Sequence, residues 1–489
     1  MAKETGSLDL TLNERPAHVS LSRWLHEELR RAILDGRLAP GTRLPATRDF
    51  AQQYGVSRGT AVTAFEQLQS EGYLKGQVGA GTWVNERIPA HRGGAGRPPV
   101  PARKLPAPLT GLNFVHAARP FRCHEPALAE FPIEIWARIA SRRLRRASPA
   151  MLAGRHTRGY PPLRQAVANY LGYARGVNCT ADQVVIVSGV QQALDLLARL
   201  LLKPGDAVWM EDPGYFGAAT ALRNAGARIV PVPVDTHGLS VAKGMRMCAA
   251  AKGAYVTPAH QFPLGMTMPV ERRLALLAWA RQARAFVIED DYDSEYRFEG
   301  RPVPALQGLD ESESVILVGS FNKLLFPAVR LGYMVVPAAL LDPLLAFRFG
   351  TEQHTSDLDQ AVLCDFIVDG HMGRHIRRMR DLYAGRLAAL QDGARRHLDG
   401  LLEISPVKAG LYTAGFLRNG MTSRAAETAA AGRQIESMAL DRFTLRRGDI
   451  HGLLLGFGAF DEPQIRHGIA ALAAALENAR RDSLKNARS

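Results

Sequence analysis

Five side chains in the middle of the 489-residue chain stand at spacings that chemistry can use. Asp290 ends a short apolar run and Tyr292 lies two residues on; a second run leads into Ser320-Phe321-Asn322-Lys323, and Arg330 follows seven residues after the lysine. A lysine amine condenses with an aldehyde, a carboxylate keeps a heteroaromatic nitrogen protonated, and a serine with an arginine holds a phosphate. Upstream, Ser188-Gly189-Val190-Gln191-Gln192 follows another apolar run and opens a helical pattern, so the free N–H groups of Val190 and Gln191 and the helix dipole are placed to bind an anion. Each group has a bland alternative: Asp290 as a helix N-cap, Lys323 as a solvated loop amine, Arg330 as half of a surface ion pair. Together and in this order they meet the needs of pyridoxal phosphate.

A second constellation lies near the start. Trp24, Leu25, Leu29, Ala32 and Ile33 recur at helical spacing up to Gly36; Pro45 to Tyr54 reads as a short helix; Gly55-Val56-Ser57 makes a tight turn; Val62, Phe65 and Leu68 mark a third helix ending at Gly72. In a helix-turn-helix the second helix enters the major groove of DNA by its N-terminal residues, here Ser57, Arg58 and Thr60. Arg43 and Arg48 are placed to hold phosphates. Tyr73-Leu74-Lys75 and Thr82-Trp83-Val84 flank Gly79 and Gly81, which suits a two-stranded wing. Taken residue by residue, a small helical domain with exposed arginines explains as much.

The elements that must position the first constellation alternate. β-rich runs at Val184–Val187, Ala207–Met210, Arg228–Val234, Gly253–Val256, Ala285–Ile288, Val315–Val318 and Gly332–Val336 are separated mostly by helical patterns. This predicts an open α/β, mostly parallel seven-stranded sheet, with ligands bound beyond the strand ends, followed after about residue 345 by helices and a small C-terminal lobe. Between the constellations, Pro89, Gly93, Gly94, Gly96, Pro98, Pro99, Pro101, Pro106 and Pro108 crowd together without periodicity. The expected division is therefore a DNA-binding domain at 17–84, a linker at 85–112 and a larger body at 113–489.

Composition narrows the function classes. Apolar residues make up 46% of the chain, no apolar run approaches membrane-span length, and the first residues lack the pattern of an export signal. Four separate cysteines without metal-ligand spacing argue against a disulfide framework or a zinc site, and a cytoplasmic setting is expected. The net charge of +14 is uneven: residues 91 to 180 hold 15 basic and only three acidic side chains. That excess reads either as a solvated arginine-rich segment or as an auxiliary contact to a polyanion.

From Leu38 to Val84 the chain, including "PGTRLPATRDF", "YGVSRGTAV" and "GAGTWV", resembles the GntR family of winged helix-turn-helix regulators. The resemblance implies that Arg48, Ser57, Arg58 and Thr60 touch operator DNA, with Gly79 and Gly81 in the wing. The stretches "VSGVQQALDLL", "EDDYDSEYRF" and "GSFNKLLFPAVRLGY" resemble fold type I aminotransferases over roughly residues 125 to 480. Carried over, Lys323 is the Schiff-base lysine, Asp290 the partner of the pyridine nitrogen and Tyr292 the donor to the ring hydroxyl. Ser320, Arg330 and the backbone of Val190 and Gln191 become phosphate ligands, and Tyr215 in "EDPGYFG" the aromatic that stacks on the ring. The fused layout resembles the MocR subfamily, which implies a domain-swapped homodimer, bound pyridoxal phosphate and regulation of transcription rather than metabolic turnover.

Two departures qualify this. In "AHQFPLG", Phe262 precedes Pro263 where aminotransferases have asparagine, which leaves His260 or Gln261 to supply a polar contact to the ring. Near the C-terminus, Leu454 stands where an arginine grips the substrate α-carboxylate, a role leucine cannot fill, unless Arg446 or Arg447 reaches in. The leading expectation is a regulator sensing an amine, an amino acid or the cofactor itself. The alternatives are an active aminotransferase controlling its own gene, and a body that has lost the cofactor and serves only to dimerise.

Overall fold

The structure, a computed structural model, describes residues 10–16, 18–77, 81–86, 119–154, 156–300, 303–352, 354–418 and 420–486. The expected linker at 85–112, apart from its first two residues, lies outside the described residues, as does Gly79. The chain divides into two compact units, Met1–Asn113 and Phe114–Ser489.

In the first unit, α1 (Leu21–Leu34) buries Leu25, Leu29, Ala32 and Ile33, the stripe its periodicity dictates. It packs on α3 (Arg58–Ser70), and α2 (Thr47–Gln53) completes the core through Phe50, whose ring meets Phe65 edge-on at 5.1 Å. Helix α2 begins later than Pro45, because its first intrahelical amide is Phe50 N–H, bonded to the carbonyl of Ala46. The wing has three strands rather than two. β2 (Leu74–Gln77) and β3 (Gly81–Val84) form the expected hairpin, and β1 (Arg43–Leu44) pairs with the other edge of β3 through Arg43 opposite Trp83.

In the second unit, α4 (Ile133–Arg145), α5 (Pro149–Ala153) and α6 (Pro161–Arg175) precede the sheet. Its strands and helices run β4 (Val184–Val187), α7 (Val190–Leu201), β5 (Ala207–Asp212), α8 (Phe216–Asn224), β6 (Arg228–Asp235), β7 (Gly238–Leu239), α9 (Val241–Cys248), β8 (Gly253–Val256), α10 (Val270–Ala283), β9 (Phe286–Asp291), β10 (Val315–Ser320) and β11 (Gly332–Val335). The sheet order is β4-β11-β10-β9-β8-β5-β6-β7. All seven expected strands are present, and the two-residue β7 adds an eighth at the edge. β11 runs antiparallel to β10 and β4, while β10, β9, β8, β5 and β6 pair in parallel, as an α/β sheet built from helical crossovers requires. Strands β4, β5, β8 and β10 are buried along their whole length, with helices supplying apolar cover on both faces. Within that cover Trp209 of β5 stacks on Trp279 of α10, ring centroids 3.7 Å apart and planes 14° apart.

Then come α11 (Ala338–Phe349), α12 (Asp357–Val368), the long α13 (His371–His397), and the C-terminal lobe: β12 (Leu402–Ile404), β13 (Tyr412–Leu417), α14 (Ser423–Ala431), β14 (Met438–Ala439), β15 (Gly452–Gly456) and α15 (Glu462–Asn486). The lobe's strands form an antiparallel sheet, β12-β13-β15-β14. Asp212 at the end of β5 ties the lobe to the large sheet. Its carboxylate accepts the N–H of Leu445 at 2.8 Å and of Arg446 at 2.9 Å, beside a bond from Gly214 N–H to the carbonyl of Phe443 at 3.0 Å.

Candidate functional site

The C-terminal ends of β4, β5, β8, β9 and β10 bring the expected cofactor residues together. Asp290 lies near the end of β9, 4% exposed. One carboxylate oxygen accepts the hydroxyl of Tyr255 from β8 at 2.7 Å; the other is buried without a partner. Burial pushes this carboxyl up to about 7, with Asp291 and Asp293 adding to the rise and the Tyr255 hydroxyl and Lys323 opposing it. Lys323, in the loop after β10, holds its Nζ 4.0 Å from the centre of the Tyr292 ring. Burial lowers its pKa against the pull of Asp293 and Asp290.

The residues expected to hold a phosphate meet where the backbone of Gly189 and Gly332 comes close. Gly189 precedes α7 with φ of 145°, and a Cβ there would lie 3.7 Å from the Asn322 amide nitrogen and 3.8 Å from the Arg330 guanidinium. Gly332 at the start of β11 approaches the same turn: its Cβ would stand 3.1 Å from Gly189 Cα. Arg330 itself is held left-handed, φ 48°, an uncommon state for a residue with a side chain. Val190 and Gln191 are the first two residues of α7, and Ser320 ends β10 with its Oγ accepting Asn322 N–H at 3.1 Å. Tyr215 is steadied by Gln191, whose side-chain oxygen accepts its hydroxyl at 3.3 Å while the amide donates to Gly217 O at 3.0 Å.

This donor set fits pyridoxal phosphate. The unpartnered, buried Asp290 oxygen is the acceptor a protonated ring nitrogen needs, and the glycine cradle with Arg330 and the start of α7 is the donor set a phosphate needs.

Several members of the site are absent from the sequence reading. Tyr255 was seen only as part of a strand, although a tyrosine in so short and buried a strand must find a partner for its hydroxyl. Tyr412 of β13 touches Tyr292 hydroxyl to hydroxyl, and Asp293 pairs with His260 Nδ1 at 2.9 Å. These partners come from distant parts of the chain, so no local spacing announces them. His260 and Gln261 part company: His260 stands beside Tyr292 and Tyr412, whereas Gln261 is used up in its loop, its amide donating to Glu211 at 3.2 Å and Pro213 O at 2.9 Å. Leu454 is fully buried in β15, on the face that packs with Tyr292, Tyr412, Phe262, Phe443 and Ile450. Arg447 is committed to Asp449 at 2.9 Å and to Val234 O at 3.1 Å, and Arg446 is exposed.

In the first unit Ser57, Arg58 and Thr60 gather at the start of α3. The two hydroxyls are turned to each other, Oγ to Oγ1 at 2.8 Å, while Ser57 Oγ also caps the helix by accepting Thr60 N–H at 3.1 Å. Arg58 and, on α2, Arg48 are exposed. Arg43 lies over the Trp83 ring at 5.7 Å, and Gly81, φ 125°, brings the wing against it: a Cβ there would lie 3.1 Å from Arg43 Nε. Among the described residues no helix is long and apolar enough to cross a membrane, and no group of three or more His, Cys, Asp or Glu is arranged to hold a metal ion.

Two family models match the chain: aminotransferase class I and II over residues 130–430, and bacterial regulatory proteins, gntR family, over residues 21–84. Among curated proteins, the probable rhizopine catabolism regulatory protein MocR of Rhizobium meliloti is 40% identical over 476 residues, 95% of each chain. The pyridoxine biosynthesis transcriptional regulator PdxR of Corynebacterium glutamicum is 31% identical across 94% of this chain and 96% of its own. Among solved structures, Pyrococcus horikoshii kynurenine aminotransferase superposes with a TM-score of 0.68 at 28% identity, covering 73% of this chain and 90% of its own.

Proposed function

The chain belongs to the MocR-type GntR regulators, which join a DNA-binding unit to an aminotransferase-like body, and on that footing we propose that its body holds pyridoxal phosphate and reports an amine, an amino acid or the cofactor itself to operator DNA. That it is a DNA-binding transcription regulator follows from the family. The observation that carries the rest is the buried, half-partnered Asp290 facing the same pocket as Lys323.

In this reading Asp290 holds the ring nitrogen, Tyr292 the ring hydroxyl, and Tyr215 stacks on the ring. Ser320, Arg330 and the N–H groups of Val190 and Gln191 hold the phosphate. When bound, the cofactor supplies an aldehyde that takes up amines and a ring that withdraws electrons. Lys323 is the amine in place before any effector arrives, and its lowered pKa keeps a larger share of it unprotonated and nucleophilic. Phe262, Phe443 and Leu454 exclude water from one side of the pocket. In the DNA-binding unit Arg58 reads a base edge, Arg43 and Arg48 hold phosphates, Ser57 and Thr60 set the start of the reading helix, and Gly79 and Gly81 shape the wing.

The division into 17–84, a linker at 85–112 and a body at 113–489 is part of the same proposal, supported by the two compact units and the spans of the two family matches. So is a domain-swapped homodimer, in which a second copy would cover the exposed apolar side chains of Ile133 and Leu144 on α4, Leu152 on α5 and Val368 on α12, each 60–68% exposed. A cytoplasmic location follows from access to the operator. Sensing rather than turnover is favoured by the apolar Leu454, although the Lys323 and Asp290 pair would equally serve an aminotransferase. Steady turnover of amino donors with a keto acid would favour the enzyme. Absorbance of the purified protein with cofactor, read beside operator gel shifts as amines are added, tests the regulator: a spectral change that tracks DNA affinity supports it, and no cofactor spectrum rejects it.

A further inference from the structure

We propose that Tyr255 is a positioning residue for the cofactor, acting through Asp290: its hydroxyl fixes one carboxylate oxygen so that the other faces the ring nitrogen, and it favours the ionised form that can pair there. The inference rests on the reading that the body takes pyridoxal phosphate. Strand β8 lies between β5 and β9, and Tyr255 on it and Thr257 just after it each hold one buried acid. Tyr255 donates to Asp290 Oδ2 at 2.7 Å, and Thr257 Oγ1 to Glu211 Oε2 at 2.6 Å. Asp290 is 4% exposed and Glu211 0%, so neither acid can turn to water. The strand thereby keeps two mutually repelling carboxylates apart, and Asp290 Oδ1 is left as a buried acceptor with nothing on it.

The groups that face Asp290 are Tyr255 from β8, Glu211 from β5, Tyr215 ahead of α8, Asp291, Tyr292 and Asp293 along and after its own strand, and Lys323 after β10. Of these, the Tyr255 hydroxyl opposes the effect of burial most, with Lys323 next. A donor to the ionised form favours that form, so removing it makes Asp290 harder to ionise.

The test is the cofactor affinity of the apo full-length chain as a function of pH, for wild type, Tyr255→Phe, Asp290→Asn and the double variant. Wild-type affinity rises as Asp290 ionises. Tyr255→Phe moves that rise up by about one pH unit, roughly tenfold weaker on the acid side and converging on wild type in alkali. In the Asp290→Asn background the same change alters affinity less than about twofold, because Tyr255 then has no carboxylate to act on. A loss of equal size at every pH, or an equal loss with and without Asp290, marks Tyr255 as structural and overturns the proposal; so does no change. If Tyr255→Phe does not fold, 3,5-difluorotyrosine at 255, a stronger donor of the same shape, is expected to shift the rise to lower pH, and an unmoved curve overturns the proposal. A wild type that binds no cofactor at any pH rejects the functional reading and takes this inference with it, an outcome visible in the wild-type curve alone.

Discussion

Tyr292 and Tyr412 meet hydroxyl to hydroxyl across the seam between the large sheet and the C-terminal lobe, their rings 10° from parallel. Tyr292 also donates to the carbonyl of His260 at 2.8 Å, so a single phenol ties the loop after β8, the segment after β9 and strand β13. Tyr292→Phe leaves the buried Tyr412 hydroxyl without its partner, and we expect the apo-protein to lose about 1–3 kcal/mol in urea or thermal unfolding. An unchanged midpoint would show that Tyr412 finds another partner.

Arg58→Ala is expected to weaken specific operator binding by about 1–3 kcal/mol, whereas Arg48→Ala weakens binding to operator and random duplex alike. Ser57→Ala removes the cap on α3 and should cost about 1 kcal/mol of stability in the DNA-binding unit. Gel shifts on both duplexes, with thermal melts, separate the three effects; identical wild-type behaviour in Arg58→Ala and Arg48→Ala would mean that the reading helix is misplaced.

Lys323→Ala is expected to abolish the borohydride-reducible cofactor linkage. Peptide mass mapping should then find no pyridoxyl adduct in the variant. An adduct of the wild-type protein on a different lysine would remove Lys323 from its role. Asp290→Asn should still form the linkage but release cofactor faster, because an amide does not balance a ring cation.

The pH dependence of stability has a definite sign. Asp290 and Glu211 are each pushed up to about 7 by burial, so the folded state holds protons that the unfolded chain gives up above its ordinary carboxylate range. Their contribution is fully present below about pH 4 and is lost as pH rises to about 7, on the order of several kcal/mol for the pair. Apo-protein melts from pH 5 to 8 should show the loss. Asp290→Asn should flatten it, and bound cofactor should reduce it by supplying a counter-charge.

Leu454 leads to an effector prediction. With leucine on the pocket face of β15 and Arg447 bound to Asp449, a carboxylate entering beside Phe262 and Tyr412 lacks the guanidinium that an arginine at position 454 would offer. Free pyridoxal phosphate should therefore change operator affinity of the apo-protein, and common α-amino acids should change it little further. If an ordinary α-amino acid proves necessary for the response, Arg446 or another cation must swing in to hold it.

Much of this was legible in the sequence because it is local. A strand such as Val184–Val187, buried on both faces, announces itself by its run of β-branched residues, and Gly189 with Val190 marks a strand-to-helix turn whatever surrounds it. Lys323 and Asp290 could be singled out from sequence because the proposed cofactor would demand fixed residue types in fixed order, and the structure places both among buried groups that face each other. What stayed hidden is made by pairing across the chain. β1 is only two residues long and exists because β3 offers it an edge, and Ser57 and Thr60 look like free donors until the helix start turns them to each other. Tyr255 and Tyr412 take their roles from partners 35 and 120 residues away.

The stacked pair Trp209 and Trp279 has an optical consequence. With rings 3.7 Å apart and both indole N–H groups fixed at 2.9 Å on the backbone carbonyls of Cys248 and Ala249, the two transition dipoles are held in one fixed arrangement. Such a pair gives an exciton couplet in circular dichroism below the cofactor's absorption band. That signal gauges the integrity of the sheet in apo and loaded protein alike, and so distinguishes a Tyr255 or Asp290 variant that has lost its ligand from one that has lost its fold.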